Sequence, residues 1–301
     1  MRRLLRSILF GSSGIKSFFG IRVAIEDVKE KMILIAERTI DITQNHCIVC
    51  QNPYTIAIWF TPEQKVGIND PEEITVSVTL FKKTRTTAKG LLSQKIKTNG
   101  LEILLYKISD PKCYQINIIK QFFILKYYLA TPSTTFRERK TIASLFSFPR
   151  KVIIVACKNK AHYNIFPMDF HGYDTATGTC ILGLRTTNIT LHHIVESKKI
   201  VIADTTTIDL KTLYTLGEHH SKKPPGIEQL PFDTIRSNLF GFPIPSLSNS
   251  YQEIRILSNH LIGSHMLLIG KTVNNFETGK NLKPLFHLHL FEFLGSGYSE
   301  A

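Results

Sequence analysis

Two stretches of this chain carry side chains whose types and spacing could do chemistry. The segment "LGLRTTNITLHHI" sets Arg185, Thr186, Thr187, Asn188 and Thr190 where a strand gives way to a helix. Asn and Thr cap first turns, whose free N–H groups also attract anions, and an arginine adds a charge-assisted partner. That is phosphate-binding chemistry, although a capped helix with a surface arginine fits the same residues and is favoured on the local pattern alone. The stretch "HYNIFPMDFHGYD", His162 to Asp174, packs Asn164, Pro167, Met168, Asp169, His171 and Gly172 directly behind the apolar run "KVIIVAC". It suits a plain strand end or the wall of a ligand site.

Other chemistry is thinly supported. Histidines come in pairs, and only His287 and His289 would share one face of a strand, with no third ligand in sight. "HCIVC" contains a C-x-x-C pair without a second pair or a matching His pair, so Cys47 and Cys50 read as small buried thiols on a strand. There is no G-x-G-x-x-G, Walker loop, G-x-S-x-G or H-E-x-x-H. Neither a catalytic side chain nor a metal set is assigned, although imidazoles that titrate near neutrality would suit acid/base work.

The elements that must hold these residues divide the chain in two. Residues 1–150 hold 23 Lys+Arg against 12 Asp+Glu, residues 151–301 hold 14 against 12, and only His46 of the 11 histidines lies before residue 160. This asymmetry predicts two domains. A basic segment at residues 1–20 is too interrupted for a signal peptide; it predicts an amphipathic surface helix, with peripheral membrane contact as the second reading. Five cysteines at irregular spacing argue against a disulfide framework and for a reducing, cytoplasmic setting. No apolar run is long enough to span a bilayer. The basic half lacks any nucleic-acid motif, so nucleic acid is not expected as a partner, and "FKKTRTTAKG" suggests a charged hairpin edge.

Residues 21–146 predict a β-rich basic domain, a small sandwich or open barrel, closed by a helical connector over 113–145. Residues 147–301 give strand after strand with few helices, which points to a barrel with helical insertions and away from a doubly wound sheet. No internal repeat is apparent in the sequence. The fold class is mainly β with helical insertions.

The order of features in "FPRKVIIVACKNKAHYNIFPMDFHGYDTATGTCILGLRTTNITLHHIVESKKIVIAD" resembles the flavin reductase-like family, as do "LGEHHSKKPPGIEQLPFDT", "GSHMLLIGKTV" and "LKPLFHLHLFEFLGSGY". The resemblance covers about residues 147–298 and implies an FMN-binding split β-barrel behind an N-terminal β-rich domain that matches no such family. It implies that Asn164, Phe166, Pro167, Met168 and Asp169 line the flavin ring, and that Arg185, Thr186, Thr187 and Thr190 hold the FMN phosphate. His220 and Lys222 would contact flavin or nicotinamide, with His265 a weaker candidate. Where relatives carry a Ser-rich stretch, this chain has "MDFHGYDTATG".

The function so implied is an FMN-dependent oxidoreductase in which NAD(P)H passes hydride to flavin N5, with onward delivery to free flavin, an oxygenase or iron. The cofactor carries that chemistry, so no catalytic acid or base is needed. The alternative is an FMN-binding electron-transfer or sensor protein without NAD(P)H oxidase activity. A homodimer with the flavin near its interface is expected.

Overall fold

The computed structural model describes residues 16–60, 70–98, 100–129, 134–278 and 283–301. Its first part runs β1 (Phe18–Arg22), β2 (Glu30–Ile35), β3 (Thr39–Asp41), β4 (His46–Gln51), β5 (Tyr54–Trp59), β6 (Glu73–Leu80), β7 (Lys83–Thr98) and β8 (Leu101–Cys113). Two helices follow, α1 (Ile118–Phe123), continued by a π-turn over Ile124–Tyr128, and α2 (Phe136–Leu145). Then come β9 (Arg150–Lys151), β10 (Ile153–Asn159), β11 (His162–Met168), β12 (His171–Asp174), β13 (Thr179–Arg185), α3 (Leu191–Ser197) and β14 (Lys199–Ala203). The remainder is α4 (Leu210–Gly217), β15 (Thr234–Arg236), β16 (Pro243–Pro245), β17 (Ser250–Ile262), β18 (His265–Glu277), β19 (Leu285–His289) and α5 (Leu290–Ser296).

The chain is mainly β because its β-branched and aromatic residues alternate with polar ones. In β2, for example, Glu30, Met32 and Leu34 are buried while Lys31 and Ile35 face out. Helix α2 starts at a capping box, with Thr135 Oγ1 accepting from the Glu138 amide at 3.2 Å and the Glu138 carboxylate accepting from the Thr135 amide at 2.6 Å.

Two seven-stranded antiparallel sheets carry the fold. The first has the order β3-β2-β6-β7-β8-β5-β4 and the second β11-β10-β14-β17-β18-β13-β12. Numbered within each half, the two orders are identical, so the chain has an internal repeat of topology that its sequence hides. The second sheet curls: β11 and β13, far apart in its strand order, line one cavity. Its core gathers Ile154, Phe166, Leu184, Val201, Leu216 and Leu268. The first sheet packs Leu34, Ile56, Val76 and Tyr106 with Phe146 of the connector and Phe170 of the second half. A third core joins the halves.

Two expectations change, in whole or in part. "FKKTRTTAKG" is no edge, since β7 lies between β6 and β8 and turns only one of its faces to solvent. The amphipathic helix proposed for residues 1–20 falls largely on residues 1–15, outside the described ones; Phe18 to Gly20 belong to β1, which pairs with β19 because both need ladder partners. His287 and His289 do lie on β19 but form no metal pair: His287 bonds Asp169, and His289 is buried as the N-cap of α5, its Nδ1 accepting from the Phe291 amide. No helix among the described residues is long and apolar enough to cross a membrane.

Candidate functional site

The strongest site candidate lies where the chain leaves β11 and crosses to β12. Residues 167–170 run along the mouth of the second sheet, tied to β13 by a bond from the Gly183 amide to the Phe170 carbonyl at 2.9 Å. They wall a cavity of about 240 Å³ together with Leu184 and Arg185 at the end of β13, Gly217 at the end of α4, His220 just after it, and Gln51 from the N-terminal half. Of the residues proposed from sequence, Phe166, Pro167, Met168, Asp169, Arg185, Asn188 and His220 meet at this cavity. His265 also lines it, and Gln51 does so with no sequence signal at all.

Arg185 sits exposed at the rim, and its Nη2 donates to Gln51 Oε1 at 2.8 Å. No carboxylate pairs with it among the described residues, so its charge faces the cavity mouth unneutralised.

The other proposed residues play different parts. Asn164 is fully buried, donating from Nδ2 to Thr190 Oγ1 at 2.6 Å and to the His219 carbonyl at 2.8 Å. It pins β11 to the segments ahead of α3 and after α4 and does not reach the cavity lining. Thr190 is therefore occupied, and its amide donates to Asn188 Oδ1 at 2.8 Å, while the Leu191 amide bonds the Asn188 carbonyl. Asn188 thus satisfies the amides of Thr190 and Leu191 at this helix start and lines the cavity beside Arg185, which brings the positive charge there. Thr186 and Thr187 are exposed outside the lining, with Thr186 Oγ1 donating to the Ser264 carbonyl. Lys222 pairs with Glu218 at 2.7 Å on the surface and is likewise outside the lining.

Asp169 lines the cavity with part of its carboxylate engaged inside the protein. One oxygen, Oδ2, accepts from Arg150 at 2.8 Å and meets His287 Nδ1 at 2.8 Å. Burial alone would push this carboxyl up, but the charge of Arg150 and the bond from His287 outweigh it and hold the group well below the usual carboxylate range. Arg150 in turn stacks 3.6 Å from the Phe146 ring centroid.

Across Asp169 lies a second cavity, of about 300 Å³, walled by Thr43, Gln44, His46, His171, Tyr173 and Thr175 among others. Three of the histidines lining these cavities do not titrate near neutrality as sequence reading allowed. Burial pushes His46, His171 and His265 each down to about 4, with Lys151 adding to the effect at His171 and Arg185 at His265. These are neutral hydrogen-bonding groups; His265 Nδ1 meets Ser264 Oγ at 2.9 Å and its ring stacks on Phe170.

All five cysteines are buried and unbridged, Cys50 Sγ donating to the Ile262 carbonyl at 2.9 Å. Burial pushes the Cys47 thiol far up, which agrees with an inert strand thiol.

No family model matches the chain, and no curated protein matches it. Among solved structures, it is similar to an FMN-binding protein from Thermus thermophilus with bound 1-cyclohex-2-enone, at 17% identity over 46% of this chain and 82% of that one, TM-score 0.40. It is similar to the flavin reductase HpaC complexed with NADP+, at 18% identity over 54% and 97%, TM-score 0.42. It is also similar to a Streptomyces globisporus NADH:FAD oxidoreductase, at 11% identity over 57% and 98%, TM-score 0.45. The solved structures that this chain is similar to are FMN-binding proteins and flavin reductases, the kind of protein its C-terminal half resembles in sequence, each matched over about half of the chain.

Proposed function

We propose that the C-terminal half is an FMN-binding split β-barrel and that the protein is an NAD(P)H-dependent flavin reductase. The observation that carries this is the pairing of one uncompensated guanidinium, Arg185, with a cavity walled by Phe166, Pro167, Met168 and Leu184. A phosphorylated ring compound needs that combination, an apolar slot and a cation at its mouth.

The residues present fit the group. Arg185, steadied by Gln51, would take the FMN phosphate, and the 166–170 segment would face the ring through its side chains and main chain. His220 and neutral His265 offer hydrogen bonds at the cavity wall. Asp169 keeps its negative charge compensated by Arg150, with His287 bonded to the same oxygen, so it does not compete for Arg185. At about 240 Å³ the cavity falls just below the usual span of ligand pockets, about 300–1,000 Å³, so it would enclose the flavin only in part and leave approach open to a nicotinamide.

Bound flavin would supply hydride acceptance from NAD(P)H and onward electron delivery, with free flavin, an oxygenase or iron as acceptor. Anaerobic addition of NADH or NADPH to the FMN-loaded protein should bleach its yellow colour within the mixing time of a stopped-flow experiment. Bleaching at the rate of free FMN, with FMN bound, would instead mark an electron-transfer or sensor protein. Failure to bind added FMN would overturn both.

A further inference from the structure

The two sheets share more than a strand order. The β7–β8 and β17–β18 hairpins end at Thr98 paired with Leu101 and at Ile262 paired with His265. Counting from those ends along the ladders puts Ile103 at the place of Leu267, and through β5 and β13 it puts Trp59 at the place of Gly183. One strand further, His46 falls on His171 and Cys47 on Gly172.

An independent bond checks this register. The Trp59 amide donates to the Asn45 carbonyl at 3.0 Å, and at the matched positions the Gly183 amide donates to the Phe170 carbonyl at 2.9 Å.

The halves also meet through matched positions. Ala57 and Ile181, Ile103 and Leu267, Leu105 and Ile269 all lie in the one core that joins the sheets. A Cβ on Gly172 would lie 3.1 Å from the Cβ of its counterpart Cys47. Contact between equivalent residues is the mark of a twofold interface.

The two cavities follow the same relation. One takes Met168 and Asp169 from the second half and Gln51, at the end of β4, from the first; the other takes Thr43 and Gln44 from the first half and Thr175, after β12, from the second.

They are not equivalent in content. The second half inserts residues 204–249 between β14 and β17, which bring Gly217 and His220 to its cavity, whereas the first half joins β6 to β7 through Phe81 and Lys82 alone. Trp59 also replaces Gly183 with the largest side chain.

We propose that the chain is a dimer folded into one polypeptide: the N-terminal half occupies the place of a partner subunit and contributes Gln51 to the one complete site, so the working unit is a single chain. Gln51 is a positioning residue, acting on the ligand through Arg185. The inference rests on the FMN reading for its ligand, though not for its assembly.

The test is made on the full chain. Sedimentation equilibrium should give the mass of one chain with and without FMN, and titration should saturate at one FMN per chain. Gln51→Ala should weaken FMN binding about three- to tenfold, as for loss of a bond that orients a charged group, and leave riboflavin binding and the unfolding midpoint unchanged. Thr175→Ala, at the matched position, should leave FMN affinity as it was. The mass of two chains, two equivalents of FMN, or a Gln51→Ala protein with the parent's FMN affinity would overturn the proposal. A single-chain mass with no flavin bound would overturn the FMN reading and still support the paired halves.

Discussion

Arg150 and Asp169 meet at 2.8 Å on the wall between the two cavities, with Arg150 stacked on Phe146 and His287 bonded to the same carboxylate oxygen. Their side chains are 9% and 22% exposed, so the pair is nearly withdrawn from water. Arg150→Ala leaves Asp169 without its main counter-charge and should cost about 2–4 kcal/mol, somewhat under the value for a wholly buried pair. The intact pair contributes stability above the unfolded carboxyl's pKa of about 3.9 and loses it as pH falls below. Urea unfolding should therefore show the variant's deficit largest at neutral pH and smaller near pH 4; a deficit constant with pH would contradict this role.

Arg185→Ala should weaken FMN binding by about one to two orders of magnitude, as for loss of a charge-assisted hydrogen bond, with little change for riboflavin. Fluorescence titration with both flavins reads this directly. Equal losses for the two would remove Arg185 from the phosphate.

Gly183→Ala probes the seam between the halves. A Cβ there would come within 2.2 Å of the Val49 carbonyl oxygen and 2.7 Å of its Cα, and a strand backbone cannot retreat as a side chain can. The substitution should destabilise by about 2 kcal/mol or more. Trp59 is the chain's single tryptophan and lies fully buried in the same seam, so its emission should shift to the red. Unchanged stability and emission would mean that the halves are not held this closely.

Acid should unfold this protein from an unusually high pH. Burial pushes His46, His171 and His265 down to about 4 and His289 to about 3, so each is neutral when folded and takes up a proton on unfolding below about pH 6.5. A lowered histidine pKa contributes nothing to pH dependence above that value and costs stability as pH falls toward the folded pKa. Glu292, raised by burial to about 7, works with the opposite sign and cancels one proton. Glu30, also raised by burial, adds to that offset, but the four buried imidazoles outweigh the two carboxyls, so stability should fall as pH drops from about 6.5 toward 5. Denaturation midpoints compared at pH 7.5, 6 and 5 measure it, and a flat profile would contradict the burial of these rings.

Local chemistry made much of this protein legible before any tertiary contact was known. Alternating β-branched residues placed most of the strands, the 113–145 stretch read as a helical connector, and "FPMDF" and Arg185 stood out as a wall and a cation. Such signals depend on neighbours in the chain, so they survive in one dimension. What tertiary structure decided depends on residues far apart. It consumed Asn164, Asn188 and Thr190 in bonding one another, turned Asp169 toward Arg150 and His287, and brought Gln51 across 134 positions to Arg185. The repeat was hidden for the same reason. A strand order is fixed by which ladders close, and any residues of suitable polarity and size can close them, so Trp59 stands where Gly183 does and the two halves share a topology with little visible in their letters.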